Sequence, residues 1–183
     1  MATRGILHRA FFAFRPAPLV SAQIGNMIEE IAPGLPRVGN ERLHSTLGIT
    51  NDYKALPAPL IDELRAIGGE ISADRFDVTV DRLSGSEGSV ALRPSRINPA
   101  WRDLQAPIEK KMRRAGALRD GWRFSQHITL YYRSGAPFSR VIGGYDWPVE
   151  ELLLIHSRVG AGEHRVLDRW PLRGRDDPQF RLF

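Results

Sequence analysis

Leu43-His44-Ser45-Thr46-Leu47-Gly48-Ile49 reads as a β-strand with its polar chemistry on one side. Residues i and i+2 of a strand project to the same face, about 6.5 Å apart. His44 and Thr46 therefore share a face, and Leu47 turns the other way. The stretch from Phe124 to Tyr132 reads as a second strand with the same arrangement, His127-Ile128-Thr129-Leu130. The chain holds five histidines. In a shuffled chain, two of them opening one His-x-Thr-Leu pattern is expected on the order of once in ten thousand.

Working outward, Arg9 to Phe14 reads as a buried strand ended by Pro16 and Pro18, and Leu19 to Ile31 has apolar residues at helical spacing. Ala58 to Ile67 reads as a second helix halted by Gly68-Gly69. Phe76 to Leu83 and Ser89 to Arg93 form a hairpin. Trp101 to Ala115 is a third helix, with Trp101, Leu104, Ile108 and Met112 along one face. Glu151 to Arg158 and His164 to Trp170 make a last hairpin across Gly160-Ala161-Gly162.

Hairpins mixed with helices, without regular strand–helix alternation, predict an α+β fold with antiparallel sheets. The recurrence of a motif-bearing strand beside a helix predicts two pseudo-symmetric lobes. The sheets would flank a central cleft, with helices outside. Residues 1–183 read as one domain, with the core at about 8–173 and a polar, loose tail over 174–183.

The composition is that of an ordinary globular chain, 42% hydrophobic and 26% charged. There is no cysteine, which excludes disulfides, thiolate metal sites and cysteine nucleophiles. The net charge is +5. Lysine occurs only at Lys54, Lys110 and Lys111, so arginine carries almost all the positive charge. Guanidinium forks suit phosphate, so the charge permits a nucleic-acid partner without requiring one. Met1 to Arg9 does not read as a signal peptide. Leu152 to Ile155 is too short to cross a bilayer. A cytoplasmic protein with no membrane partner is expected, with a monomer as the default.

If the two motif strands face each other across a cleft, two imidazoles and two hydroxyls converge. Imidazole titrates near neutrality, so one ring can take a proton while the other gives one. Threonine hydroxyls can donate to oxygens whose negative charge grows in a transition state. Such a set suits a phosphodiester and needs no metal or other cofactor. His156 and His164, with Glu163 between, fall on opposite strands of the last hairpin without a third obvious ligand. No metal site is expected there, and His8, His156 and His164 are expected to serve surface or packing roles.

These residues resemble the 2H phosphoesterase superfamily, and within it the RNA 2′,3′-cyclic phosphodiesterases, also called 2′-5′ RNA ligases. The family pattern of two His-x-Thr/Ser motifs is matched by His44/Thr46 and His127/Thr129. Phe11-Phe12-Ala13-Phe14 is similar to its first strand, and Glu41-Arg42-Leu43 to its approach to the first motif. Glu151 to Ser157 and Val166 to Leu172 are similar to its closing hairpin. The resemblance runs from about Phe11 to Leu172.

It implies catalytic His44 and His127, with phosphate held by Thr46 and Thr129. Many bacterial relatives carry an arginine three residues after the second threonine. Here that place is Tyr132, whose hydroxyl could serve the phosphate instead, and Arg133 follows. The implied partners are RNA ends or nucleotides bearing a cyclic phosphate. The implied reaction is hydrolysis to a 2′-phosphate, with His127 as base and His44 as acid. The residues alone leave that orientation open.

Phe12 and Phe14 share a face of the first strand and are either core or a base-stacking platform. Arg133 is a candidate RNA contact, and a solvated charge reads equally well. Rival functions are cleavage of 2′-5′ oligonucleotides, opening of ADP-ribose cyclic phosphate, trimming of RNA 3′ ends, or a non-catalytic RNA- or nucleotide-binding module.

Overall fold

The apolar run after Arg9 forms the central strand of a sheet in the computed structural model, which describes residues 6–173. The chain order is β1 (Leu7–Phe14), α1 (Pro18–Ile31), a 3₁₀ turn (Asn40–Arg42), β2 (Ser45–Ile49), α2 (Ala58–Gly69), β3 (Phe76–Gly85) and β4 (Ser89–Arg93). It continues with α3 (Pro99–Arg114), β5 (Ile128–Tyr132), β6 (Phe138–Val149), β7 (Glu151–Val159) and β8 (Glu163–Pro171). The expected tail, 174–183, lies outside the described residues.

The strands form two antiparallel four-stranded sheets, ordered β2-β1-β7-β8 and β5-β4-β3-β6. This is the predicted α+β, two-lobed architecture. The motif strands β2 and β5 are each an edge of their own sheet, and the two edges touch. The link after α1 stitches them together: Val38 N donates to Leu130 O, and Arg37 bridges to Tyr131.

Each helix buries one stripe. Val20, Ile24 and Ile28 do so in α1, and Trp101, Leu104, Ile108 and Met112 in α3. Proline opens α1 and α3 where its missing N–H costs nothing. Asn98 caps α3 by accepting from Trp101 N at 3.1 Å. Gly68 of α2 lies against the Trp170 ring, and a Cβ there would collide with the indole. These stripes join the inward side chains of both sheets in one large core. A smaller apolar cluster (Phe11, Ala13, Ile49, Leu153 and Ile155) lies on the opposite face of the β1 sheet.

Two differences from the sequence reading matter. The motif strands begin later than expected, at Ser45 and Ile128, so each histidine stands one residue before its strand. Strand β6 was not predicted. It runs along an edge and is largely exposed, so Gly143, Gly144 and Pro148 are tolerated in it.

Candidate active site

Both histidines are held by the same local device. His44 Nδ1 lies 2.6 Å from the Arg42 carbonyl, and His127 Nδ1 lies 2.8 Å from the Ser125 carbonyl. A carbonyl only accepts, so Nδ1 carries the hydrogen in both rings. That leaves each Nε2 free with its lone pair. The carbonyl two residues back thus selects the tautomer and orients the ring.

The threonines are matched as closely. Thr46 stands opposite Ala13 of β1, and Thr129 opposite Ala91 of β4. Immediately after each threonine the register slips by one residue. Phe12 pairs with Gly48 and Ala13 with Thr46, so Leu47 is the extra residue of a bulge. Val90 pairs with Tyr131 and Ala91 with Thr129, so Leu130 is its counterpart.

A bulge sets two successive residues on one side and then resumes alternation. Leu47 and Gly48 both face the core, and a Cβ on Gly48 would meet Met112 and Ile108. Leu130 and Tyr131 do the same in β5. Ile49 and Tyr132, three residues past their threonines, thereby return to the threonine face. Ile49 joins the small cluster with Phe11, while Tyr132 is 74% exposed and bears electrostatically on Arg9.

Both imidazoles are depressed below the ordinary histidine range. Burial pushes His44 down to about 3, against the lift from the Arg42 carbonyl, and His164, Arg15 and His127 lower it further. Burial also lowers His127, with a smaller push from Arg93 and an opposing lift from the Ser125 carbonyl. His127 bears on His44 electrostatically, as two rings facing one cleft would.

Of the two readings open for Phe12 and Phe14, the structure gives core and rules out the base-stacking platform. Their rings are 0% and 1% exposed and pack against Trp170, Trp101 and Phe76. Phe11, on the other face of β1, stacks on His44 with ring centroids 4.7 Å apart. Sequence reasoning passed over it because three phenylalanines in four residues do not reveal which face meets the cleft.

His164 was also missed as a site neighbour. The β7–β8 register carries it to an edge-on contact with both His44 and Phe11, at 5.3 Å each. Burial depresses it to about 4, with Arg42 and Arg15 adding to the effect. His8 and His156 form a separate stacked pair, with His8 Nδ1 and His156 Nε2 2.8 Å apart. Arg133 lies over the Phe138 ring and donates to the Ala136 carbonyl, bracing its own loop. Among the described residues no cluster of three His, Asp or Glu side chains could hold a metal ion, and no helix is long and apolar enough to cross a membrane.

The chain matches no family model and no curated protein. Its architecture does match solved structures. E. coli LigT complexed with 3′-AMP is 24% identical over 91% of this chain and 98% of LigT, with a TM-score of 0.79. A protein described as a phosphoesterase is 24% identical over the same shares, with a TM-score of 0.75. TT0787 of Thermus thermophilus is 20% identical over 91% of this chain and 99% of its own, with a TM-score of 0.70. At these identities the likeness establishes a common fold.

Proposed function

We propose that this protein is a phosphodiesterase that opens 2′,3′-cyclic phosphates at RNA ends, leaving a 2′-phosphate. The observation that carries the reading is the duplicated histidine lock: two imidazoles with Nδ1 tied to a carbonyl and Nε2 free, on the touching edges of two sheets. A nucleotide-bound protein of the same fold, LigT with 3′-AMP, supports a nucleotide ligand.

In this mechanism water attacks phosphorus in line with the 3′ oxygen. His127 Nε2 takes the water's proton as the P–O bond forms. His44, protonated on Nε2, delivers its proton to the departing 3′ oxygen. Thr46 and Thr129 donate to the non-bridging oxygens as their charge grows, and the Tyr132 hydroxyl serves the same group from the rim. The chemistry draws on no metal, and the product is a 2′-phosphomonoester with a free 3′-hydroxyl.

The test is turnover of nucleoside 2′,3′-cyclic phosphates with chelator present, followed by product analysis. A 2′-phosphate product is expected. Turnover confined to 2′-5′ linkages would select a different diesterase, and tight binding without hydrolysis would select a binding module.

The depressed histidines fix the expected pH dependence. The base must be neutral, and the acid must be protonated. With both free-protein values below 6.5, the base is ready throughout the range above pH 6.5, while the protonated acid becomes scarcer. The kcat/KM is therefore expected to fall about tenfold per pH unit above 6.5. The kcat itself should hold to higher pH, because a bound phosphate anion favours imidazolium. A kcat/KM profile flat from pH 6.5 to 8 would contradict the depression.

A further inference from the structure

A second duplicated pattern lies beside the histidines. Ala13-Phe14-Arg15-Pro16 and Ala91-Leu92-Arg93-Pro94 share the form Ala-x-Arg-Pro. The two alanines are the residues paired with Thr46 and Thr129. Two positions on, along the same face, stand Arg15 and Arg93. The two lobes thus repeat histidine, threonine and arginine in the same relative places. Arg15 bears on His44 and Arg93 on His127.

Resting on the reading of this cleft as a phosphodiester site, we infer that Arg15 and Arg93 form a two-sided clamp. It carries the charge of the substrate's reacting phosphoryl group. Both side chains are half-buried, yet among the described residues neither makes an ion pair. Arg15 Nε is buried with no hydrogen-bond partner. The nearest carboxylates, Glu41 and Glu151, are paired instead with Arg42 at 3.5 Å and Arg169 at 2.8 Å. Arg93 is held only by a neutral group, donating to Ser125 Oγ at 2.5 Å.

Burial is the main force against both charges. Arg169 adds to it at Arg15, against a weaker pull from Glu41 and Glu151, and Arg93 stands opposite another arginine, Arg82, in the β3–β4 register. A partly buried cation without an ion-pair partner of its own costs stability unless an anion completes it. Each arginine also lines a groove bordered by the segment that leads into its lobe's histidine, Asn40-Glu41 for Arg15 and Ser125-Gln126 for Arg93. The Arg15 groove is about 410 Å³ and includes Ser21 and Asn40; that of Arg93 is about 290 Å³ and includes Phe124 and Gln126. A cyclic phosphate is a monoanion, and its transition state gathers a second charge on the same oxygens. Two guanidinium groups, one from each lobe, match that demand.

The test measures binding of adenosine 2′-monophosphate by calorimetry with chelator present, together with kcat/KM and thermal melting. It uses the full chain and the variants Arg15→Met, Arg93→Met, their double, and the two lysine variants. Each methionine variant is expected to lose at least tenfold in affinity and in kcat/KM, and the double about a hundredfold. Lysine should restore part of the loss.

The melting temperature should hold or rise in the methionine variants, because an uncompensated charge has gone and the alkyl packing remains. Methionine variants that bind and react like the parent would overturn the clamp alone. So would losses accompanied by a drop in melting temperature that lysine also shows, since these mark a structural role. A parent protein that neither binds the nucleotide nor turns over a cyclic phosphate would overturn the clamp and the diesterase reading together.

Discussion

His44→Ala and His127→Ala are each expected to cut kcat/KM on a nucleoside 2′,3′-cyclic phosphate by about 10²–10⁴. That corresponds to ~3–5 kcal/mol of barrier. Each histidine is the sole imidazole in its own lobe with Nδ1 fixed to a carbonyl two residues back. Removing either leaves one of the two proton transfers to water. The double variant should be little worse than the poorer single one, because a lone base without its acid contributes little. Melting temperatures should stay near the parent's: both rings are depressed by burial, so their removal costs packing but relieves desolvation. His44→Ala also strips the face from Phe11 and the edge contact from His164, and should be the less stable of the pair. Steady-state kinetics and calorimetric melting check both halves. Retention of more than a tenth of the parent activity in either variant would exclude the two-histidine mechanism.

Leu47→Ala and Leu130→Ala are expected to destabilise the protein by about 2–5 kcal/mol each. For a chain of this size that lowers the melting temperature by about 4–20 °C. Both side chains are 0% exposed in the main core. Each is also the unpaired residue of a bulge, so no cross-strand neighbour can move in to fill the space. The loss should reach function as well. The bulge returns Tyr132 to the Thr129 face, and in the Leu130 variant the two-residue step has lost its anchor. Denaturant unfolding, with kcat/KM measured well below the transition, separates the two effects. Stability within 1 kcal/mol of the parent would show that these leucines do not anchor their bulges.

Much of this was legible in the primary structure, for identifiable reasons. The His-x-Thr-Leu pairs were visible because strand alternation and histidine chemistry coincide in four residues. The helices showed because Val20, Ile24 and Ile28, or Trp101, Leu104, Ile108 and Met112, repeat at helical spacing. What escaped depended on contacts between distant segments. The bulges after Thr46 and Thr129 exist only in register with β1 and β4, so plain alternation would have set Tyr132 away from Thr129. The roles of Phe11 and Phe12 turned on which face of β1 meets the cleft. His164 approaches His44 only through the pairing of β8 with β7 and of β7 with β1. β6 was overlooked because an exposed edge strand with two glycines and a proline carries little apolar alternation to detect.

The sheet order β2-β1-β7-β8 has a consequence for synthesis. Strand β1 lies between one neighbour made soon after it and another made much later. Until Glu151–Val159 has left the ribosome, β1 has a bare hydrogen-bonding flank, and the surroundings of His44 lack the hairpin that brings His164. Competence around His44 therefore waits on translation of the distant β7–β8 hairpin, and a nascent chain halted before β7 would expose a sticky, unpaired edge to its neighbours.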